Sequence, residues 1–295
     1  MSVDQDSARI VSRAVASSLV DLEPDALVLV AVSGGADSLA LARGVAATGR
    51  PMAVGIVDHR LQVGSDAVAQ RAAEQCTRMG IRDVSIQSVD VTETGQGPEA
   101  AARSARRTAL EALADRLGAA AILLAHTRDD QAETVLMRLA RGSGARSLAA
   151  MAPVAGRWRR PLLDVPRDVV RSSVADLEIW EDPHNLDPAY TRTRVRHDAL
   201  PALVQALGPD SVSGLARSAR LLRDDADALD AMAAEASSRL TGADASLDVD
   251  ELARLPRALR TRVIRLALLA AGCPASALTS AHIDRVEALA SDWHG

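Results

Sequence analysis

Lysine is absent from this 295-residue chain, and all 34 basic residues are arginine. The arginine and alanine richness reads as the mark of a GC-rich genome rather than as chemistry. One class is excluded at once, because a Walker A loop needs a lysine after its second glycine. Phenylalanine is absent too, and the aromatic side chains are Trp158, Trp180, Trp293 and Tyr190. Any core must therefore be built from Ala, Val, Leu and Ile. Cysteine is scarce: Cys76 and Cys273 lie far apart, outside any C-x-x-C. That spacing argues for a reduced, cytoplasmic protein with no zinc site. No apolar run approaches a membrane span, and the MSVDQDS start lacks a basic stretch followed by an apolar one. No membrane association is expected. The net charge of −5 argues against indiscriminate nucleic-acid binding.

What is present centres on residues 27–38, LVLVAVSGGADS. Leu27 to Val32 is a short, valine-rich apolar run that predicts a strand buried on both faces. Ser33, Gly34, Gly35, Ala36, Asp37 and Ser38 follow, and Leu39 to Ala47 predicts a helix. Strand, glycine turn and helix N-terminus together offer backbone N–H groups to a phosphate. Glycine lets the backbone take a positive φ and approach an anion closely.

Ser7 is a plausible cap for a helix over Ala8–Leu19. Met52–Val57, Asp83–Val89 and Ala119–Ala125 predict three further strands. Helices are expected over Asp66–Met79 and Glu99–Leu117, with a two-glycine loop over Thr92–Pro98. The alternation predicts a doubly wound, mostly parallel α/β sheet. Ligands in such sheets sit beyond the strands' carboxyl ends. Asp58 and His59 lie at one such end and read either as nucleotide contacts or as a surface turn. Arg103, Arg106 and Arg107 lie on the Glu99–Leu117 helix. They could offset a leaving anion's charge or could simply form a solvated face. At the end of the fourth run, His126 precedes a helix expected from about Asp129. That helix would put Asp130 and Glu133 on one face. Capping and the helix dipole explain part of that pattern, but not the histidine.

Arg138 to Arg171 holds eight arginines against Asp164 and Asp168. It includes R-G-S-G-A-R with Arg141, and R-W-R-R with Arg160. A basic segment bearing an aromatic suits RNA. Arg192, Arg194 and Arg196 alternate and could hold phosphates whether extended or helical. Leu221–Arg254 is acidic and reads as solvated helices without an RNA face. Further helices are expected over Pro256–Ala271 and Thr279–Ala290. A boundary near Gly208-Pro209 divides residues 1–208, catalytic, from 209–295, a small all-α domain.

SGGADS, VDHRL (57–61), EAAARSARR (99–107), AHTRDDQAETVLMRLARGSGARSL (125–148), RPLL (160–163), WEDPHN (180–185) and RTRVRHDALPAL (192–203) occur in this order. Together they resemble the tRNA(Ile)-lysidine synthetase family of PP-loop ATP pyrophosphatases, over roughly residues 27–203. Thr127, Arg107, His184 and Thr193 depart from its usual pattern. Long forms of the family add a C-terminal domain that this chain lacks, so it reads as a short or truncated form.

The resemblance implies a ligase that joins free L-lysine to C2 of the wobble cytidine of tRNA(Ile) with a CAU anticodon. The reaction passes through an adenylated tRNA and releases AMP and pyrophosphate. ATP would be used with Mg²⁺. By resemblance Ser33, Gly34, Gly35, Ala36 and Ser38 cradle phosphate, and Asp37 holds Mg²⁺ or the transferring phosphate. Asp58 and His59 contact the nucleoside, while Arg103 and Arg106 offset developing charge. Asp130 and Glu133 hold the lysine ammonium, and His126 lies near the reacting base as a candidate general base. Arg141, Arg160, Arg192, Arg194 and Arg196 bind RNA. A homodimer is left open. Two rival classes are a PP-loop tRNA thiolase, for which two isolated cysteines are poor equipment, and a nucleotide sensor without turnover.

Overall fold

In the computed structural model, which describes residues 3–60, 64–89, 98–181, 186–242, 246–275 and 277–291, each of the four apolar runs is a strand. Residues 92–97 of the two-glycine loop, Leu61, His184 and the Trp293–Gly295 end lie outside the described residues. The strands are β1 (Val28–Val32), β2 (Met52–Asp58), β3 (Val84–Ser88) and β4 (Ala121–Leu123). Two short strands not foreseen from sequence extend the sheet: β5 (Val154–Ala155) and β6 (Trp158–Arg159). The order is β3-β2-β1-β4-β6-β5, parallel except for the antiparallel β5–β6 pair. Val30 pairs with Val54 on one side and Leu123 on the other. Strand order reverses between β1 and β4, and the crevice above such a reversal is where this architecture takes ligands.

Helices cover both faces, which is why the strands read as unbroken apolar runs. The helices of this part are α1 (Val3–Ser18), α2 (Ala36–Ala46), α3 (Ser65–Arg78), α4 (Pro98–Leu117), α5 (Arg128–Leu139), α6 (Ala145–Leu148) and α7 (Arg167–Ser172). Side chains alternate across the pleat. Val30, Val54 and Leu123 meet Val11 of α1, Leu39 of α2 and Val170 of α7. Leu29, Ala53 and Ile122 meet Leu110 and Leu113 of α4. Gly55 makes that second contact close, since a Cβ there would stand 2.9 Å from Leu110 Cδ2. After α7 the chain forms α8 (Thr191–Arg194), a π turn over Val195–Ala199 and α9 (Leu200–Leu207).

Trp158 corrects the sequence reading. It is 4 % exposed, packed with Leu29 and Ile122, and its Nε1 donates to Glu111. Arg107 stacks on its ring at 4.8 Å. No face is left to stack on RNA. The arginines around it are also engaged: Arg157 with Asp115, and Arg159 with Asp21. Arg167 and Arg171 likewise meet carboxylates, so these four arginines form no open basic face.

Contact clustering divides the chain into residues 1–143 with 150–219, and residues 144–149 with 220–295. The second unit contains most of α10 (Ser211–Leu240), together with α11 (Val249–Arg254), α12 (Arg257–Ala270) and α13 (Ser280–Ser291). Its own core includes Ala233, Leu252, Val263, Ile264 and Ile283. Arg146 belongs to it and bonds Asp227 and Asp230. Among the described residues no helix is long and apolar enough to cross a membrane.

Candidate functional site

A cavity of about 540 Å³ lies at the carboxyl ends of β1, β2 and β4, and all its lining residues lie in the first unit. Ser33, Gly35, Ala36, Asp37 and Ser38 form one wall, Arg103 and Arg106 another, and His126 and Asp130 a third. Gly34 supports the first wall from within the loop, at φ +85°. Ser38 braces the turn: its hydroxyl donates to Gly35 O at 2.9 Å and accepts from Ser33 N–H at 3.2 Å. Gly35 is the residue before α2, so the first N–H groups of an 11-residue helix face the loop. Gly34→Ala is expected to lose phosphate affinity and about 1–2 kcal/mol of stability, because a side chain at positive φ is strained. Its Cβ would also lie 3.2 Å from that of Ala72. Thermal melts with and without ATP check both effects.

Asp37 is an under-satisfied carboxylate. Its Oδ1 is buried without a hydrogen-bond partner among the described residues. Burial, with Asp130 nearby, pushes it up to about 6. Among the described residues no group of three or more His, Cys, Asp or Glu could hold a metal alone. Asp37 nevertheless fits a divalent cation that takes its other ligands from phosphate oxygens and water.

The second cluster is built by α5 and two arginine-bearing segments. Thr127 caps α5. Its N–H and hydroxyl both donate to Asp130 Oδ2, at 2.8 and 2.9 Å. Asp130 Oδ1 faces the other way and accepts from Arg167 at 2.8 Å and Arg196 at 3.1 Å. Glu133, 0 % exposed, accepts from Arg167, Arg192 and Arg196 at 2.8–3.1 Å. Burial opposes ionisation of both carboxyls. Arg167 and Arg192 around Asp130, and Arg196 and Arg167 around Glu133, hold both below the usual carboxylate range. Asp130 lines the cavity, whereas Glu133 lies behind it and is absent from the lining.

The three alternate arginines separate because their segment is helical. Arg192 and Arg196, four apart, share a face and meet the carboxylates. Arg194 points elsewhere and caps Ala189 O and Thr191 Oγ1. Arg167 was not singled out from sequence. It looked like one more arginine in a basic run, although its N–H is anchored on Asp129 Oδ2.

Other sequence-predicted residues take supporting places. Asp58 Oδ1 accepts from Arg60 N–H at 3.0 Å, ordering the turn after β2, and is not on the cavity wall. His59 Nε2 accepts from Arg106 Nε at 3.0 Å. Arg160 donates to Ala152 O. Neither it nor Arg141 lines the cavity. Burial, helped by the charges of Arg160, Arg192 and Arg103, pushes His126 down to about 4, against the pull of Asp130. It is therefore neutral near pH 7, and a weak base for an ammonium of about 10.4. Cys76 is buried and pushed up to about 11, so it carries no thiolate chemistry.

Residues 7–203 match a family model described as PP-loop domain, and residues 247–295 one described as TilS substrate binding domain. A tRNA(Ile)-lysidine synthase of Thermobifida fusca is 54% identical over 97% of this chain and 90% of its own. That of Streptomyces coelicolor is 52% identical over 91% and 79%. Among solved structures, a U34-tRNA thiolase of Methanococcus maripaludis shares the fold with TM-score 0.61 and 19% identity, over 74% of this chain and 80% of its own. The sequence reading denied an RNA face to Leu221–Arg254 because that stretch is acidic, and it gave the two later helices no role.

Proposed function

The chain belongs to the tRNA(Ile)-lysidine synthase family, and we propose that the cavity at the carboxyl ends of β1, β2 and β4 carries both halves of its reaction. The enzyme forms lysidine on tRNA(Ile) with ATP. The observation that carries the proposal is that the PP-loop, Asp37, His126 and Asp130 share one lining.

The residues then divide the work. The backbone N–H groups of the PP-loop and of the α2 N-terminus receive the phosphates. Arg103 and Arg106 offset charge on the departing pyrophosphate. Asp37 holds Mg²⁺, which when bound supplies further neutralisation of the phosphates. Residues 1–208 act as the catalytic domain and 209–295 as the helical domain. Neutral His126 orients the wobble cytidine of the CAU anticodon, whose O2 attacks the α-phosphate. Asp130 receives the ammonium of free L-lysine, and Glu133 braces it from behind. Arg167, Arg192 and Arg196 crowd Asp130 and work against a further cation there, so the ammonium gives its proton to solvent and the neutral amine attacks C2 as AMP leaves. No strong base at His126 is then required. Arg141, Arg160 and Arg194 lie off the cavity and are assigned to the tRNA backbone.

Labelled L-lysine is expected to enter an isoleucine tRNA with a CAU anticodon only when ATP and Mg²⁺ are present. Pyrophosphate release without label would mean that activation is right and the lysine site wrong. Neither signal, from folded protein, would overturn the shared-cavity reading.

A further inference from the structure

Arg106 and His59 come from different elements, α4 and the end of β2, yet meet side chain to side chain. The direction of that hydrogen bond is chemically informative. Arginine has no acceptor, so Nε donates and His59 Nε2 must be the unprotonated nitrogen. The ring proton then sits on Nδ1, which is buried without a partner among the described residues. Burial, with the Arg106 charge, pushes the imidazole down to about 4 despite Asp58, so the acceptor form persists through neutral pH.

The turn beneath the ring is also fixed. Asp58 is 6 % exposed, its Oδ1 takes the Arg60 N–H, and its carbonyl takes the Val89 N–H at 2.9 Å. Arg60 is held at φ +52°, a conformation that a non-glycine residue keeps only when its surroundings enforce it. A rigid turn thus presents a neutral acceptor to a cation on the cavity wall.

We infer that His59 is a positioning residue that holds Arg106 by its Nε edge, so that the guanidinium fork meets the phosphates of ATP. This rests on the role proposed above for Arg106. It replaces the expectation that His59 touches the nucleoside, since His59 is not on the cavity wall.

The test is a double-mutant cycle on tRNA-dependent pyrophosphate release, with KM read separately for ATP and L-lysine. His59→Leu removes the acceptor, and His59→Gln keeps one at similar reach. His59→Leu is expected to raise KM for ATP or lower kcat of activation by about tenfold, the effect of one hydrogen bond to a charged group. KM for L-lysine should not move. His59→Gln should recover most of the loss, and His59→Leu added to Arg106→Ala should cost nothing further. Additive losses, or a silent His59→Leu beside a damaging Arg106→Ala, would overturn the inference and leave the role of Arg106 standing. A silent Arg106→Ala would overturn both. Thermal melts of all four proteins separate these results from misfolding.

Discussion

Glu133→Gln is expected to lose about 3 kcal/mol of stability, because removing one member of a buried ion cluster strands the others. Glu133 is fully buried and its two oxygens accept four guanidinium hydrogen bonds. An amide offers one acceptor oxygen and puts an N–H₂ group against arginines. Asp130 would then face Arg167, Arg192 and Arg196 alone. Misplacement of about 1 Å at a reacting centre lowers rate by about 100-fold, so lysidine formation should fall at least that far. Pyrophosphate release should suffer less, since Glu133 is not on the cavity wall. Urea titration gives the first quantity and labelled lysine the second. Equal loss of both activities would place Glu133 in activation instead.

Asp37→Asn is expected to do the opposite to stability while abolishing function. The native carboxyl is pushed up to about 6 by burial and by Asp130. Its unfolded value is about 3.9, so the native state holds the proton more tightly than the unfolded chain does. The resulting penalty is absent in acid, grows between about pH 4 and pH 6, and is complete above that. Asparagine escapes it, which should stabilise the ligand-free protein by about 2–3 kcal/mol at pH 7.5. For a domain of this size that is a rise of roughly 4–10 °C in Tm, vanishing near pH 4. Lysidine formation should fall by about 100-fold or more, as when a group facing developing charge is removed. A variant that melts no higher than the parent at pH 7.5 would show that Asp37 is not held at a cost.

The first four strands were legible because each is buried on both faces and therefore reads as a short apolar run. The strand pair β5–β6 was not, because two-residue strands have no period to detect. Trp158 shows the same limit. A tryptophan between arginines looks alike in sequence whether it stacks on a base or fills a core. Only the sheet shows that it lies beside Ile122. The α5 start, with Asp130 and Glu133 on it, was readable from strand end and helical spacing. Their partners were only partly so. Arg192 and Arg196 share a face once the segment is helical, but Arg167 enters from α7, and no local pattern marks it. His126 was placed correctly at its strand end, yet its low basicity is a product of burial and surrounding arginines, which no motif spells out.

The pairing of Val30 with both Val54 and Leu123 has a kinetic meaning. The loop after β1 and the helix after β4 are tied by a ladder of backbone bonds, about 4.8 Å between strand axes, rather than by a hinge. On the division of labour proposed above, an activated base formed over one strand end would meet its nucleophile at the neighbouring strand end. Water competes for such an ester in proportion to the time it waits. A sheet that keeps the two stations at adjacent strand ends shortens that wait, and so guards the tRNA against being discharged unmodified.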